Sequence, residues 1–368
     1  MSASQSLFQP FRLGALELPT RLVMAPMTRS FSPGGVPTAE VVEYYRRRAE
    51  SGVGLVITEG TTVGHPAANG YAAVPRFYGD DALAGWKQVV DAVHAAGGKI
   101  APQLWHVGNV RRAGTEPDAS VPGYGPSEKV KDGEVVVHGM TREDIADVIA
   151  AFAQAAKDAQ SIGMDAVEIH GAHGYLVDQF FWEGSNKRTD EYGGDLAGRS
   201  RFAIERVQAV RAAVGPDYPI IFRFSQWKQQ DYTARLVQTP EALGAFLKPL
   251  SDAGVDIFHC STRRFWEPEF EGSDLNLAGW TRKLTGKPTI TVGSVGLDGE
   301  FLQYMVKTDK VAQPAKLEGL IERLENNEFD LVAVGRALLV DPDWATKVRE
   351  GREEDILPFS REALKTLV

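Results

Sequence analysis

Short runs rich in Val, Ile and Leu recur along the whole chain, and longer amphipathic stretches separate them. The runs fall at residues 22–27 (LVMAPM), 54–60 (GLVITEG), 99–105 (KIAPQLW) and 166–171 (AVEIHG). They continue at 219–225 (PIIFRFS), 257–262 (IFHCST), 289–294 (TITVGS) and 331–336 (LVAVGR). Runs that are nearly continuously apolar, rather than alternating, predict parallel strands buried on both faces.

The intervening stretches carry helix punctuation. Thr38 is placed to cap a helix over 39–50, with Gly52 just beyond its end. Asp80 or Asp81 opens another that stops at Gly97 and Gly98, and Thr141 with Asp144 reads as a capping box for a helix running to about Gly163. Thr239 precedes Pro240 at a first helical position, and Gly254 closes that segment. Eight strands alternating with helices predict a (β/α)8 TIM barrel, with a doubly wound open sheet as the competing fold.

No linker interrupts this rhythm, so residues 1–368 read as one barrel domain. The basic fold needs about 250 residues, which leaves roughly a third of the chain for elaboration. Gly/Pro-rich segments at 108–140 and 171–200 follow the third and fourth strands, and they read as long loops over the C-terminal face. Residues 11–17 predict a hairpin turning at Leu13-Gly14-Ala15 and closing the barrel bottom. The segment 301–330 before the last strand holds more of the surplus.

Composition narrows the function classes. Hydrophobic residues make up 43% and charged residues 24%, an ordinary globular balance. Forty basic against 49 acidic residues give a formal charge of −9, which argues against a general nucleic-acid binder but not against a local anion site. The single cysteine, Cys260, excludes an internal disulfide and a Cys-based zinc cage. Residues 1–9 lack a basic start before an apolar run, and no stretch approaches the roughly 18 apolar residues of a membrane span. A cytoplasmic protein acting on small molecules is the expectation.

Candidate chemistry gathers at the C-terminal ends of the predicted strands. Gly293-Ser294-Val295-Gly296 follows the seventh and Gly335-Arg336 ends the eighth, the usual phosphate site of this fold. The fourth run leads into His170-Gly171-Ala172-His173-Gly174-Tyr175. Its two imidazoles could bind zinc, satisfy a core hydrogen bond or hold a substrate oxygen. Tyr175, with an ordinary pKa of about 10, suits proton donation rather than proton abstraction. Pro26-Met27-Thr28, Gln103 and Arg223 lie at other strand ends, where hydroxyl, amide and guanidinium could read the edge of a flat heteroaromatic ring. An ion pair between Arg223 and Glu168 is the purely structural alternative.

Together these segments resemble the Old Yellow Enzyme family of FMN-dependent ene-reductases. The resemblance runs from about Leu7 to Arg349 and rests on eight segments in order. They are LFQPFRLGALELPTRLVMAPMTR, VGLVITEGT, APQLWHVG, HGAHGYLVDQF, NKRTDEYGG, FRFS, TVGSVG and VGRALLVDP. It implies that Pro26, Met27, Thr28 and Gly60 lie along the flavin and that Gln103 bonds its pyrimidine edge. Arg223 would stand beside N1 and O2, and Gly293, Ser294, Gly296, Gly335 and Arg336 would hold the phosphate. His170 and His173 match the pair that binds the substrate oxygen, and Tyr175 matches the proton donor. NAD(P)H would reduce FMN by hydride transfer and leave. An α,β-unsaturated carbonyl compound or nitroalkene would then accept hydride at its β-carbon and a proton from Tyr175 at its α-carbon.

The chain also departs from the family pattern. His173 stands where many relatives have Asn, and HVGN at 106–109 replaces the commoner HAGR, leaving Arg111 or Arg112 as substitutes for a missing arginine. The segments 226–231 (QWKQQD) and 263–280 have no common counterpart. Trp105, Trp266, Phe265 and Tyr71 are candidates for shaping the substrate pocket. Dihydroorotate, dihydrouridine and α-hydroxy-acid enzymes are the rival flavin barrels, and a metal-dependent barrel hydrolase is the rival from another class.

Overall fold

The eight apolar runs close on one another. In the computed structural model, which describes residues 3–299 and 310–368, they form the strands of a closed parallel barrel. These are β1 (Leu22–Met24), β2 (Leu55–Thr62), β3 (Lys99–Trp105) and β4 (Val167–His173), then β5 (Ile220–Lys228), β6 (Ile257–Ser261), β7 (Thr289–Val292) and β8 (Leu331–Val334). Each strand pairs with the next in sequence, and β8 returns to β1 through Val332 opposite Leu22. An open doubly wound sheet is thereby replaced by closure, which leaves no strand edge exposed. Residues 300–309, within the surplus before the last strand, lie outside the described residues.

Burial on both strand faces follows from this closure. Outward side chains such as Val56, Ile100, Ile169, Phe222 and Phe258 join the helices in one large core. Inward side chains follow the two-residue period upward from the barrel bottom. Leu55, Ala101, Ile221, Ile257, Ile290 and Leu331 form an apolar lower layer. Two residues further along their strands stand Gln103, Arg223 and His259, and Glu168 lies two beyond Ala166. The next inward step brings Trp105, His170 and Ser261 to the mouth.

The predicted hairpin forms between Phe11–Leu13 and Leu16–Leu18, with Gly14 in the left-handed region at its turn. Its Phe11, Leu16 and Leu18 pack into the apolar lower layer and seal it from below. Helix punctuation also acts locally. The Thr38 and Thr239 hydroxyls accept the amides of Val41 and Ala242, and Thr141 and Asp144 make a reciprocal capping box. No helix among the described residues is long and apolar enough to cross a membrane.

One expectation needs correction. The segment after β3 is not simply irregular, because strands Gly123–Gly125, Lys129–Lys131 and Glu134–Gly139 form a small sheet with the last in the centre. Asp132 and Gly133, both at positive φ, make the tight turn between the latter two. Asp-Gly between Val-containing runs is the sequence signal for such a hairpin, and it stands at 132–133.

The hairpin seal is testable. Leu18 is 1% exposed, so Leu18→Ala should lower unfolding stability by about 2–5 kcal/mol. A urea midpoint shifted down with an unchanged slope would show this; a midpoint within error of the parent would mean the hairpin is not a seal.

Candidate active site

The polar layer above the apolar plug is organised by one carboxylate. Glu168 is fully buried and accepts hydrogen bonds from Gln103 Nε2 (2.7 Å) and His259 Nδ1 (2.6 Å). His259, an inward residue that the sequence analysis passed over, is also fully buried, and its Nε2 has no partner among the described residues. Burial holds its imidazole below the ordinary range, reinforced by Arg223 and opposed by Glu168. Arg223 is the neighbouring cation and feels the Glu168 charge, but among the described residues the two form no ion pair. Its Nη2 instead reaches Ser261 Oγ at 3.4 Å, while its buried Nε is unpartnered. The expected structural ion pair is thus replaced by Gln103 and His259 as partners of the carboxylate. One N–H edge of Arg223 is left toward the cavity it lines.

Above this layer opens a cavity of about 320 Å³. Gln103, Trp105, His170, His173 and Tyr175 line one side of it. Both histidines are kept neutral, with burial the larger cause and the Arg223 charge adding to it. His170 accepts the Ala172 amide at Nδ1 (3.4 Å), which leaves its proton on Nε2. His173 Nε2 meets Ser261 Oγ at 2.7 Å. The serine oxygen, which accepts from Arg223, can give its own proton to His173 Nε2, and the imidazole proton then sits on Nδ1. The rings stand nearly perpendicular, 83° apart with centroids at 5.3 Å. In that tautomer two N–H donors serve one mouth. His173 also holds a left-handed backbone, φ 66°, a conformation that costs energy and concentrates at functional sites.

Two aromatic stacks wall the mouth. Tyr71 lies on Trp105 with centroids 5.4 Å apart, and Trp105 continues to His170. Gly60 makes this possible, since a Cβ there would meet the Trp105 ring at 2.5 Å. On the other side His173 stacks on Trp227 at 4.5 Å, and Trp227 on Tyr232 at 5.4 Å. Trp227 and Tyr232, at the end of β5 and just beyond it, supply this second wall. It is anchored by a fully buried ion pair, Lys228 Nζ to Asp178 Oδ1 at 2.6 Å. Trp227, Gln229 and Tyr232 line the cavity and were missed; the lone Trp in a polar run was the available signal.

The opposite end is built by β1, β7 and β8. Pro26, Met27 and Thr28 line it with Gly293, Ser294, Gly335 and Arg336. Gly293 takes φ 130°, and a Cβ there would press on the Thr262 carbonyl at 2.7 Å. Arg336 Nη2 bonds the Gly299 carbonyl (2.6 Å) and approaches Ser294 Oγ (3.4 Å).

Three expected residues fall elsewhere. Gly60 lies behind Trp105 rather than on the cavity, and Gly296 packs at the Trp344 ring. Trp266 is 40% exposed and edge-on to Phe265, outside the lining. Its loop turns it to the surface, where its carbonyl meets Arg323. Arg111 does not replace an active-site arginine. It is fully buried and donates to the carbonyls of Asn69, Thr115, Glu116, Asp118 and Val121, tying together the loops after β2 and β3.

The chain is similar to several known proteins. A family model for the NADH:flavin oxidoreductase / NADH oxidase family matches residues 6–355. 12-Oxophytodienoate reductase 1 of Oryza sativa subsp. japonica is 39% identical over 353 residues, covering 93% of this chain and 85% of that protein. An NADH oxidase of Thermoanaerobacter brockii is 34% identical over 97% of this chain, which spans about half (52%) of that relative's length. Morphinone reductase in complex with tetrahydroNAD superposes with a TM-score of 0.77 at 32% identity, covering 94% of this chain and 91% of the other. An Old Yellow Enzyme from Pichia sp. AKU4542 superposes with a TM-score of 0.80 at 26% identity, covering 98% and 90%.

The segment carrying Thr28 depends on a buried acid. Glu59 Oε2 accepts the backbone amides of Arg29 (2.8 Å) and Ser30 (3.1 Å), and burial pushes its carboxyl up to about 7. A raised folded pKa means a contribution complete below about pH 4.5 and lost as pH rises through about 7. Glu59→Gln keeps an accepting oxygen without the charge. The parent should lose stability relative to this variant, on the order of 3 kcal/mol, between those pH values. Denaturant titrations at both pH values check this, and a constant difference between the two proteins would contradict it.

Proposed function

The chain belongs to the NADH:flavin oxidoreductase / NADH oxidase family, the Old Yellow Enzyme family of FMN-dependent ene-reductases, and from that premise we propose how its own residues reduce an activated C=C bond. The supporting observation is convergence. Neutral His170 and His173, and the phenol of Tyr175, face one cavity beside the buried Arg223 cation.

The residues fit FMN on chemical grounds. Arg223 is a buried cation with an orphaned Nε, and such a group needs an acceptor-rich partner. Gln103 spends one N–H on Glu168, so its carbonyl and second N–H are left for the donor–acceptor edge of a pyrimidine ring. Pro26, Met27 and Thr28 would flank the ring, while Ser294 and Arg336, with the close backbone approach at Gly293 and Gly335, would hold the phosphate. Gly60 and Gly296 would act indirectly, by seating Trp105 and the turn beside Trp344. FMN held there would supply the hydride-transfer chemistry, with NAD(P)H as donor and the activated alkene as acceptor.

The rest falls to the protein. His170 Nε2–H and His173 Nδ1–H donate to the carbonyl or nitro oxygen of the substrate and stabilise the charge that develops there. Neutral imidazoles do this without delivering their protons. Tyr175 carries the transferable proton: burial, chiefly, raises its phenol above the ordinary value, so it is fully protonated at neutral pH. It gives that proton to the α-carbon. The Trp105 and Trp227 stacks limit water at the same atoms. Relatives named as 12-oxophytodienoate and morphinone reductases support a carbonyl-activated alkene as substrate class. Small-molecule partners and a cytoplasmic location go with this reading, as does the net charge of −9.

Tyr175→Phe tests it. With an enone as oxidant, the alkene-reduction phase in stopped flow should slow by about a hundredfold or more. Reduction of the bound flavin by NADPH should stay within twofold. An unchanged alkene phase would remove Tyr175 from the mechanism.

A further inference from the structure

Tyr175 is not alone at the mouth. Its hydroxyl lies 2.9 Å from that of Tyr71, on the loop after β2, and 3.5 Å from Gln229 Oε1, on the loop after β5. Between two phenols there is one bridging proton, and its direction decides the chemistry. If Tyr175 donated to Tyr71, its proton would be engaged and turned from the substrate. Gln229 offers an oxygen that only accepts, so the Tyr175 proton can point there, across a long and weak contact, which leaves the Tyr175 oxygen open to the Tyr71 proton. In that orientation Tyr71 is the donor to Tyr175.

The position of Tyr71 is enforced from several sides. Its ring is parallel to Trp105, 16° between planes, and its backbone amide is held by Asn69 Oδ1 at 3.0 Å. The Asn69 carbonyl in turn accepts from buried Arg111 at 2.7 Å. Tyr71 is half-buried, whereas Tyr175 is 7% exposed, so Tyr71 is the phenol nearer to water.

We propose that Tyr71 is a positioning and proton-relay residue for Tyr175, donating to its oxygen while it protonates the substrate and then resupplying it from solvent. The proposal rests on Tyr175 being the proton donor. As the α-carbon C–H bond forms, the Tyr175 O–H bond breaks, and the Tyr71 hydrogen bond stabilises the oxygen that takes on charge. The Tyr71 proton passes to Tyr175, and solvent returns one to Tyr71. Each turnover consumes one solvent proton together with the hydride that originates in NAD(P)H. No charge is left on either ring.

Tyr71→Phe isolates the hydroxyl, because phenylalanine keeps the stack on Trp105. In the holoenzyme, a donor to a charged oxygen corresponds to about a ten- to hundredfold slower alkene-reduction phase. Flavin reduction by NADPH should slow far less than the alkene phase, and the solvent deuterium effect on the alkene phase should grow. A second readout needs no turnover: the C–O stretch of isotope-labelled Tyr175 at neutral pH separates a phenol that accepts from one that only donates. It should lose its accepting signature in Tyr71→Phe. An unaltered alkene phase, or a stretch showing Tyr175 as donor to Tyr71 in the parent, would overturn the relay. Full alkene turnover in Tyr175→Phe would instead remove the reading on which it rests, so the two failures are distinguishable.

Discussion

A closed barrel holds almost no water, so an ionisable group on its inner face must find its partners there. Glu168 sets that constraint here. Its two oxygens take the hydrogens of Gln103 and His259, and its charge lies near that of Arg223. Replacing it with an apolar residue would leave an amide and an imidazole buried with nothing to accept from them, and a guanidinium without its nearby countercharge. Because Gln103 and Arg223 stand on the strands flanking β4, the carboxylate also orients the groups that face the cavity. Catalytic geometry and barrel stability thus meet at the same atom pairs.

The mouth is built differently from the layer below it. Strands deliver Gln103, Trp105, His170 and Arg223 at spacings set by the pleat. The remaining wall comes from loops, which need their own anchors. Arg111 draws the loops after β2 and β3 together through five carbonyls, and Lys228 pins the loop after β5 to Asp178 in a fully buried pair. Both anchors are cations buried in the loop layer. Their partners are satisfied locally, so the loops hold Tyr71, Trp227 and Gln229 in place without a continuous apolar core beneath them. Specificity differences among barrels of this kind can therefore arise from loop anchors while the floor stays constant.

Much of this was legible from the chain. Eight apolar runs, punctuated by caps such as Thr38 and Thr141, predict a barrel because parallel strands must be apolar on both faces. His170, His173 and Tyr175 stand out because polar groups at the end of a buried strand need a reason to be there. The reading failed where proximity arises between distant segments. Trp266 looked like a pocket aromatic in a loop near the mouth, yet its loop turns it outward. His259 looked like part of an apolar run until its inward register placed it on Glu168. Ser261, at the end of the same strand, meets His173 Nε2, and no local pattern announces that.

The sequence by itself determined the barrel, the hairpin seal, the helix caps and the strand ends that line the cavity. Each of these depends on periodicities of two or 3.6 residues and on contacts within a few positions. Only the tertiary structure decided which groups touch: Glu168 with Gln103 and His259 rather than Arg223, Tyr71 with Tyr175, and Trp227 with His173. These pairs are separated by up to 104 residues in the chain. They are brought together by barrel closure and by two buried anchors, whose geometry no local pattern encodes.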